Sequence, residues 1–116
     1  MKRIENRLIG IDQGEIVLFS DYESGGEMWT GEGERARRHS VRFGERYLIA
    51  PAVHCSLSMW DIDSSTNSRV EVSAENISEI GFDVVLRTWA DTHIARARVR
   101  WMSIGEVAHC DDWELY

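Results

Sequence analysis

Proline and long apolar runs are nearly absent from this chain of 116 residues. The single proline is Pro51, so no proline-rich linker divides the chain. No stretch approaches the ~20 consecutive apolar residues of a membrane-spanning helix, which argues against membrane insertion. No apolar segment follows the basic residues Lys2 and Arg3, so we expect no signal peptide. These absences predict one globular domain that covers residues 1–116.

Positive charge is also scarce. Thirteen basic residues stand against twenty acidic residues, which gives a net charge of −7 at pH 7. A nucleic-acid-binding surface needs an excess of positive charge, so the composition argues against a general nucleic-acid binder. Lysine occurs once, at Lys2, and the other twelve basic residues are arginine. The planar arginine side chain favours directed contacts with carboxylates or polar ligands, although a compositional bias of the genome would give the same excess.

Cysteine is represented only by Cys55 and Cys110. One disulfide between them is one interpretation, but Cys55 lies on the apolar side of a predicted strand, where a free cysteine behaves as a small hydrophobic residue. The histidines His54, His93 and His109 lack the ligand spacing of zinc sites. We therefore expect no structural metal.

Sequence motifs of enzymes are missing as well. The chain contains no GxSxG, P-loop or GxGxxG pattern. The pairs Asp61/Asp63 and Asp111/Asp112 lie in polar turn or terminal segments, where a solvated loop is a simpler interpretation than acid–base catalysis. The segment 61–67 (DIDSSTN) resembles the start of a calcium loop but lacks the glycine and closing glutamate of an EF-hand. We expect no enzymatic activity and no cofactor, and a hydrolase is the least supported alternative.

Apolar and polar residues alternate with a period of two from Arg38 onwards, and no segment of ten residues shows a helical stripe. The apolar members of the predicted strands are Val53, Cys55, Leu57 and Met59, then Val70, Val72 and Ala74, then Phe82, Val84 and Leu86, then Ala95, Ala97, Val99 and Trp101. Residues 61–68 form a polar turn between two of these strands. The pattern predicts an all-β fold, an antiparallel β-sandwich of six or seven short strands.

The first third of the chain is less regular. Leu8–Ile11 and Glu15–Phe19 are predicted to be two short strands on either side of a turn at Asp12–Gly14. The glycine-rich segment Asp21–Glu34 is predicted to be a long surface loop.

Trp89 is the most informative single residue. It closes the strand that begins at Phe82, on the face opposite to Phe82, Val84 and Leu86. The face of an indole ring can cover the C–H patch of a pyranose, while a nearby carboxylate, such as Asp91, and a guanidinium bind neighbouring hydroxyls. A tryptophan at an interface or rim is the alternative interpretation.

Five segments in fixed order resemble the H-type lectin domain, the family of snail agglutinins and of the carboxy-terminal domain of slime-mould discoidins. They are residues 51–61 (PAVHCSLSMWD), 67–70 (NSRV), 77–82 (ISEIGF), 88–92 (TWADT) and 99–105 (VRWMSIG). The resemblance covers residues 8–105 and leaves 106–116 as an acidic tail. It implies a six-stranded antiparallel β-sandwich, assembled as a homotrimer, that binds galactose-type sugars at shallow sites between protomers.

The resemblance also implies site residues. Arg69 matches the family arginine that binds sugar hydroxyls, and Trp89 matches the tryptophan that packs against the sugar. The acidic ligand of the family falls on Glu32, or on Glu34 after a slip of the alignment. The residue after the tryptophan is a histidine that contacts the acetamido group in the snail lectin, but here it is Ala90, which weakens the case for N-acetylgalactosamine.

Three further segments, residues 9–15 (IGIDQGE), 28–33 (MWTGEG) and 111–116 (DDWELY), resemble short bacterial H-type lectins encoded beside gene transfer agents, which are phage-like particles. This resemblance implies synthesis in the bacterial cytoplasm and an adhesin that recognises capsular polysaccharide on a released particle. The tail Glu106–Tyr116 would then dock on a particle protein, or else be a frayed terminus. A structural particle protein that has lost sugar binding is the alternative function.

The predicted strand with Arg96, Arg98 and Arg100 corresponds to a strand that lies near the trimer axis in family members. Like charges there would repel one another. We therefore expect carboxylate partners such as Glu71 or Asp83 across the interface, or else exposure at the rim.

Overall fold

The computed structural model describes residues 1–109 and contains six β-strands and two one-turn helices. In chain order these are β1 (Ile9–Phe19), α1 (Asp21–Ser24), α2 (Glu27–Thr30), β2 (Arg35–Arg42), β3 (Ala52–Ile62), β4 (Val70–Glu75), β5 (Gly81–Thr88) and β6 (Ile94–Glu106). The strands form two antiparallel sheets, with the order β1-β6-β3 in sheet 1 and β2-β5-β4 in sheet 2. The predicted six-stranded antiparallel β-sandwich is confirmed.

The core lies between the two central strands. On β6, the predicted inward row of Ala97, Val99 and Trp101 is buried, and on β5 the predicted inward row that starts at Phe82 is buried as well. An aromatic cluster fills one end of the core, where Phe43 stacks on Phe82 and both contact Trp101. The period-two pattern therefore located the faces of the central strands correctly.

The predicted turn at Asp12–Gly14 is wrong, because β1 runs unbroken from Ile9 to Phe19. Asp12–Gly14 pair with Trp101–Ser103 of β6, which supplies their backbone hydrogen bonds. Gly14 serves a close approach and not a turn, since a Cβ there would come within 2.7 Å of the Trp101 indole nitrogen.

The predicted surface loop Asp21–Glu34 is also wrong in part, because it contains α1 and α2. The Met28 side chain is fully buried against the core between the sheets. Asp21 is buried too, and its carboxylate accepts a hydrogen bond from the Met28 N–H (3.0 Å) and pairs with Arg37 (2.8 Å). A single buried methionine and a paired carboxylate therefore fix a segment whose composition is typical of a loop.

On β3 the predicted inward row holds only for its first half. Val53, Cys55 and Leu57 pack against the core, and Cys55 is a free thiol. A register shift after Leu57 places Met59 opposite the outward-facing Arg98, so the prediction that Met59 shares the face of Leu57 is wrong.

Only part of the predicted tail is described. Glu106 ends β6 and Val107 pairs with Tyr47, whereas residues 110–116, which include Cys110, lie outside the described residues. Between residues 1 and 109, no helix is long and apolar enough to span a membrane.

Candidate functional site

The candidate site is built on the turn that joins β5 to β6. The turn is flanked by two buried threonines, Thr88 and Thr92, whose hydroxyls hold the segment before β4. Thr88 Oγ1 donates to the Arg69 carbonyl (2.5 Å), and Thr92 Oγ1 donates to the Asn67 carbonyl (2.6 Å). Thr92 Oγ1 also accepts from the Arg69 N–H (3.0 Å). The backbone of Arg69 is therefore fixed beside the turn by bonds that do not involve its own side chain.

The side chains of Arg69 and Asp91 meet in an ion pair, with 2.7 Å between Nη1 and Oδ1. Asp91 also accepts hydrogen bonds from the backbone N–H (3.3 Å) and the side-chain amide (3.0 Å) of Asn67. The backbone N–H of Asn67, then its side chain and the Arg69 charge, hold the pKa of Asp91 below its ordinary value. A negative and a positive group thus stand together at the surface in fixed positions.

Trp89 lies on the same turn and is 39% exposed, as predicted from its outward phase. It lines an open groove of about 600 Å³ on the outer face of sheet 2. We call this the Trp89 groove, and its outer-face side chains are Glu34, Ala36, Glu71, Arg87 and Trp89.

Ala90 adopts a left-handed backbone conformation, with φ of 58°. Its carbonyl accepts a hydrogen bond from the Gly33 N–H (2.9 Å), which ties the turn to the segment after α2. Only a methyl group projects from this position, so Ala90 offers no hydrogen bond to a ligand through its side chain.

Both candidate acidic ligands, Glu32 and Glu34, belong to the segment after α2, which the hydrogen bond between Gly33 and Ala90 ties to the β5–β6 turn. The Glu32 side chain is 76% exposed, and its Oε1 lies 3.9 Å from His93 Nε2. Glu34 lines the Trp89 groove. The structure therefore brings both glutamates to the turn, at different places, and the choice between them stays a prediction.

Sequence reasoning missed Arg35, which is 7% exposed and holds the site together. Its guanidinium donates to the Thr92 carbonyl (2.6 Å) and the Met28 carbonyl (3.3 Å), and its Nε donates to the Gly33 carbonyl (2.9 Å). These bonds join α2, the segment after it and the β5–β6 turn. The sequence did contain one signal. Arg35 lies on the same face of β2 as the apolar Val41, because the two positions are an even number of residues apart.

His93 was also missed as a neighbour of the site. Its ring lies between Glu32 and Asp63, 3.9 Å and 4.0 Å away, and packs edge-on against Trp29. Within residues 1–109 its Nε2 has no hydrogen-bond partner. Over the same residues, no group of three histidine, cysteine or acidic side chains is arranged to hold a metal ion.

The three arginines of β6 find their partners within the chain. Arg98 and Arg100 both pair with Glu15 (3.2 and 2.8 Å), and Arg96 pairs with Asp61 (3.3 Å). Glu71 and Asp83 lie on β4 and β5 of the other sheet, and the expectation that they meet these arginines across a trimer interface stays a prediction.

Comparison with known proteins finds one family model, one relative and solved structures that are similar to this chain. Residues 38–104 match the H-type lectin domain model. A Fuscovulum blasticum protein named "ATP synthase subunits region ORF 7" is 50% identical over 107 residues, which are 92% of this chain and 93% of that protein. Recombinant discoidin II of Dictyostelium discoideum superposes with a TM-score of 0.76 at 21% identity over 93% of this chain. Wild-type discoidin II gives 0.75 at 20% identity over 90% of this chain. The chain spans 40% of the length of either discoidin II chain, so this likeness concerns the fold of one domain.

Proposed function

The chain belongs to the H-type lectin family, and we propose that it is an adhesin that binds cell-surface polysaccharide through Arg69, Asp91 and Trp89. Membership of a lectin family indicates a carbohydrate-binding protein without enzymatic activity. The observation that carries the proposal is that the β5–β6 turn presents two partly exposed groups, the Trp89 indole and the Asp91 carboxylate, with Arg69 paired to Asp91.

The chemistry of these groups suits a sugar. A pyranose presents neighbouring hydroxyls that both donate and accept hydrogen bonds, and a carboxylate beside a guanidinium serves both functions. Since Asn67 and the two buried threonines already fix Asp91 and the backbone of Arg69, little ordering entropy is lost when the sugar binds. An indole face supplies the apolar contact.

Ala90 bears on which sugar is bound. The family histidine that contacts an acetamido group is replaced by a methyl group, so we propose recognition of galactose-type hydroxyls without a requirement for N-acetylation. Glu32, exposed on the neighbouring segment, is the proposed acidic ligand.

We propose that the active form is a homotrimer. The outer face of sheet 1 supports this, because Ile11, Met102 and Ile104 are all exposed there, and Ile11 pairs directly with Ile104. Exposed apolar side chains that neighbour one another are typical of an interface between subunits. In the arrangement that the family resemblance implies, the arginine and the tryptophan of one site come from different protomers, so a complete site needs two chains.

The particle context rests on the resemblance of residues 9–15, 28–33 and 111–116 to short bacterial H-type lectins encoded beside gene transfer agents. In this proposal the tail Glu106–Tyr116 docks on a phage-like particle. The second candidate function, a structural particle protein without sugar binding, is favoured by Ala90, which removes one family contact.

A glycan array separates these two functions. We expect the wild-type chain to bind galactose-containing glycans and the Trp89→Ala variant to lose that binding. Trp60→Ala is the matched control, since Trp60 is exposed on β3 of sheet 1, pairs with Ala97 of β6 and does not line the Trp89 groove. Failure of the wild-type chain to bind any glycan would support the structural alternative.

A further inference from the structure

The ring of His93 stands between two carboxylates that belong to different segments. Its Nε2 lies 3.9 Å from Oε1 of Glu32, in the segment after α2, and its Nδ1 lies 4.0 Å from Oδ2 of Asp63, just after β3. Both distances exceed the ~3.2 Å of an N–H···O hydrogen bond. In the described part of the chain, Nε2 is buried and has no hydrogen-bond partner. One carboxylate therefore faces each nitrogen of the ring without bonding to it.

Two of these three groups are held in place, and the third is not. The Asp63 N–H donates to the His93 carbonyl (3.0 Å), and the His93 ring packs edge-on against Trp29. The Asp63 carboxylate also accepts from the N–H (2.9 Å) and the hydroxyl (2.8 Å) of Ser65. By contrast, the Glu32 side chain is 76% exposed. Glu32 is therefore the member of the group that can change its position at the lowest cost.

Protonation of His93 changes what the ring can bond. Histidine ordinarily changes its charge between about pH 5 and pH 8. A neutral imidazole carries one N–H, whereas the imidazolium carries an N–H on each nitrogen, one for each facing carboxylate. The backbone N–H of Ser65, then its hydroxyl, hold the pKa of Asp63 below its ordinary value, and the charge of His93 acts in the same direction. Asp63 therefore stays ionised while a histidine titrates.

Other titratable groups on the elements around the ring have partners of their own. They are Asp91 with Arg69 (2.7 Å), Arg35 with the Thr92 carbonyl (2.6 Å), Asp61 with Arg96 (3.3 Å) and Tyr22 with the ring of Trp29. The guanidinium of Arg35 opposes a positive charge on the adjacent His93, but it is engaged with the backbone, and two carboxylates face the ring directly. Protonation of His93 therefore acts first on Glu32 and Asp63.

We propose that His93 is a positioning residue of the sugar site, which on protonation draws the Glu32 carboxylate into an ion pair and away from the ligand. To form a charge-assisted hydrogen bond of about 2.8 Å, Glu32 Oε1 moves about 1 Å toward the buried Nε2. A carboxylate whose charge is compensated by an imidazolium accepts a weaker hydrogen bond from a sugar hydroxyl. The inference rests on the proposed function, in which Glu32 is the acidic ligand, and adds that sugar affinity falls in mild acid.

The test uses the full-length protein at about pH 5.5 and about pH 7.5, on either side of the ordinary histidine titration, at constant ionic strength. Binding is measured on galactan-coated beads. The variants are His93→Gln, which keeps a polar side chain that does not titrate, and His39→Gln, the matched control at an exposed histidine of β2. Thermal unfolding establishes that each variant is folded. Independently of any ligand, nuclear Overhauser contacts in the wild-type protein measure the approach of the Glu32 side chain to the His93 ring.

We expect the wild type and His39→Gln to bind galactan about fivefold more weakly at the acidic pH, because the imidazolium then competes for Glu32. In His93→Gln the affinities at the two pH values should agree within about twofold, since the competing charge is gone. The Glu32–His93 contact should strengthen in mild acid. The same pH dependence in His93→Gln as in wild type, or a Glu32–His93 contact that does not change with pH, overturns the positioning role. Absence of galactan binding at both pH values overturns the proposed function, and the Glu32–His93 contact, measured without ligand, then decides the pairing by itself.

Discussion

Asp91 is held by two residues of the segment before β4, Asn67 and Arg69, so the 2.7 Å ion pair between Arg69 and Asp91 ties the β5–β6 turn to that segment. Both partners are partly exposed, and an ion pair between exposed groups contributes little to stability because water screens it. Its exposure and its fixed geometry make it better suited to a ligand than to stabilising the fold.

Arg69→Ala and Trp89→Ala should each abolish glycan binding and leave the fold intact. Loss of a charge-assisted hydrogen bond or a stacked ring costs about 1–3 kcal/mol of binding free energy, which is enough to erase a weak sugar contact. The fold survives Arg69→Ala because Thr88 and Thr92 bond to the backbone of that residue. Binding to glycan-coated beads and thermal unfolding measure the two effects, and unchanged binding by both variants would remove the assignment.

Arg35→Ala should destabilise the protein by about 3 kcal/mol, because it leaves buried carbonyls of Thr92 and Met28 without donors. Chemical denaturation measures the change. Arg42→Ala is the control, since Arg42 is exposed on the same strand and forms no ion pair within residues 1–109, and it should change stability by less than about 0.5 kcal/mol. Equal effects of the two substitutions would show that the Arg35 bonds do not hold the site.

Acid should lower the free energy of unfolding through the ion pairs on the outer face of sheet 2. Hydrogen bonds from Arg87 first, and then from Ser73, lower the pKa of Glu75 from 4.5 to about 2. A lowered folded-state pKa stabilises the fold above pH 4.5, and this stabilisation is lost as the pH falls toward 2. Glu75→Gln should therefore flatten the dependence of the unfolding free energy on pH across this window. Glu45→Gln, at an exposed carboxylate without an ion pair in residues 1–109, should retain the slope, and an equal slope in Glu75→Gln would contradict the argument.

Assembly should depend on the apolar patch of sheet 1. Sedimentation at micromolar concentration is expected to give three times the 13.3 kDa mass of one chain. Ile104→Arg should give monomers, because it places a charge between Ile11 and Ala52 at the centre of the patch. Ile80→Arg, at an exposed isoleucine before β5, should remain trimeric. If the wild-type protein is a monomer, the proposal that two protomers share one sugar site is contradicted.

The sequence predicted the central strands well, because the inward residues of β5 and β6, such as Val84 and Val99, recur with a period of two, although Val85 on the outer face of β5 is buried too. It failed where long-range contacts decide the structure. Gly14 was mistaken for a turn residue because its partner, Trp101, is 87 positions away in the chain, and Met28 gave no local sign that it would be buried. Within the candidate site, the exposure of Trp89 could be predicted, because Trp89 lies on the outward face of the predicted strand. The role of Arg35 did not, since its acceptors are backbone carbonyls that carry no sequence signal.

The most direct test of polysaccharide recognition is retention of the protein on encapsulated and capsule-free cells at low and high salt. A shallow site should bind a free monosaccharide at only about millimolar strength. Three sites on a trimer that meet a repetitive polymer should gain roughly 10²–10⁴-fold. The net charge of −7 excludes a purely electrostatic attraction to an acidic capsule. We predict firm retention on encapsulated cells, independent of salt and lost in Trp89→Ala. Equal retention on both cell types, or release by moderate salt, would contradict lectin-type recognition.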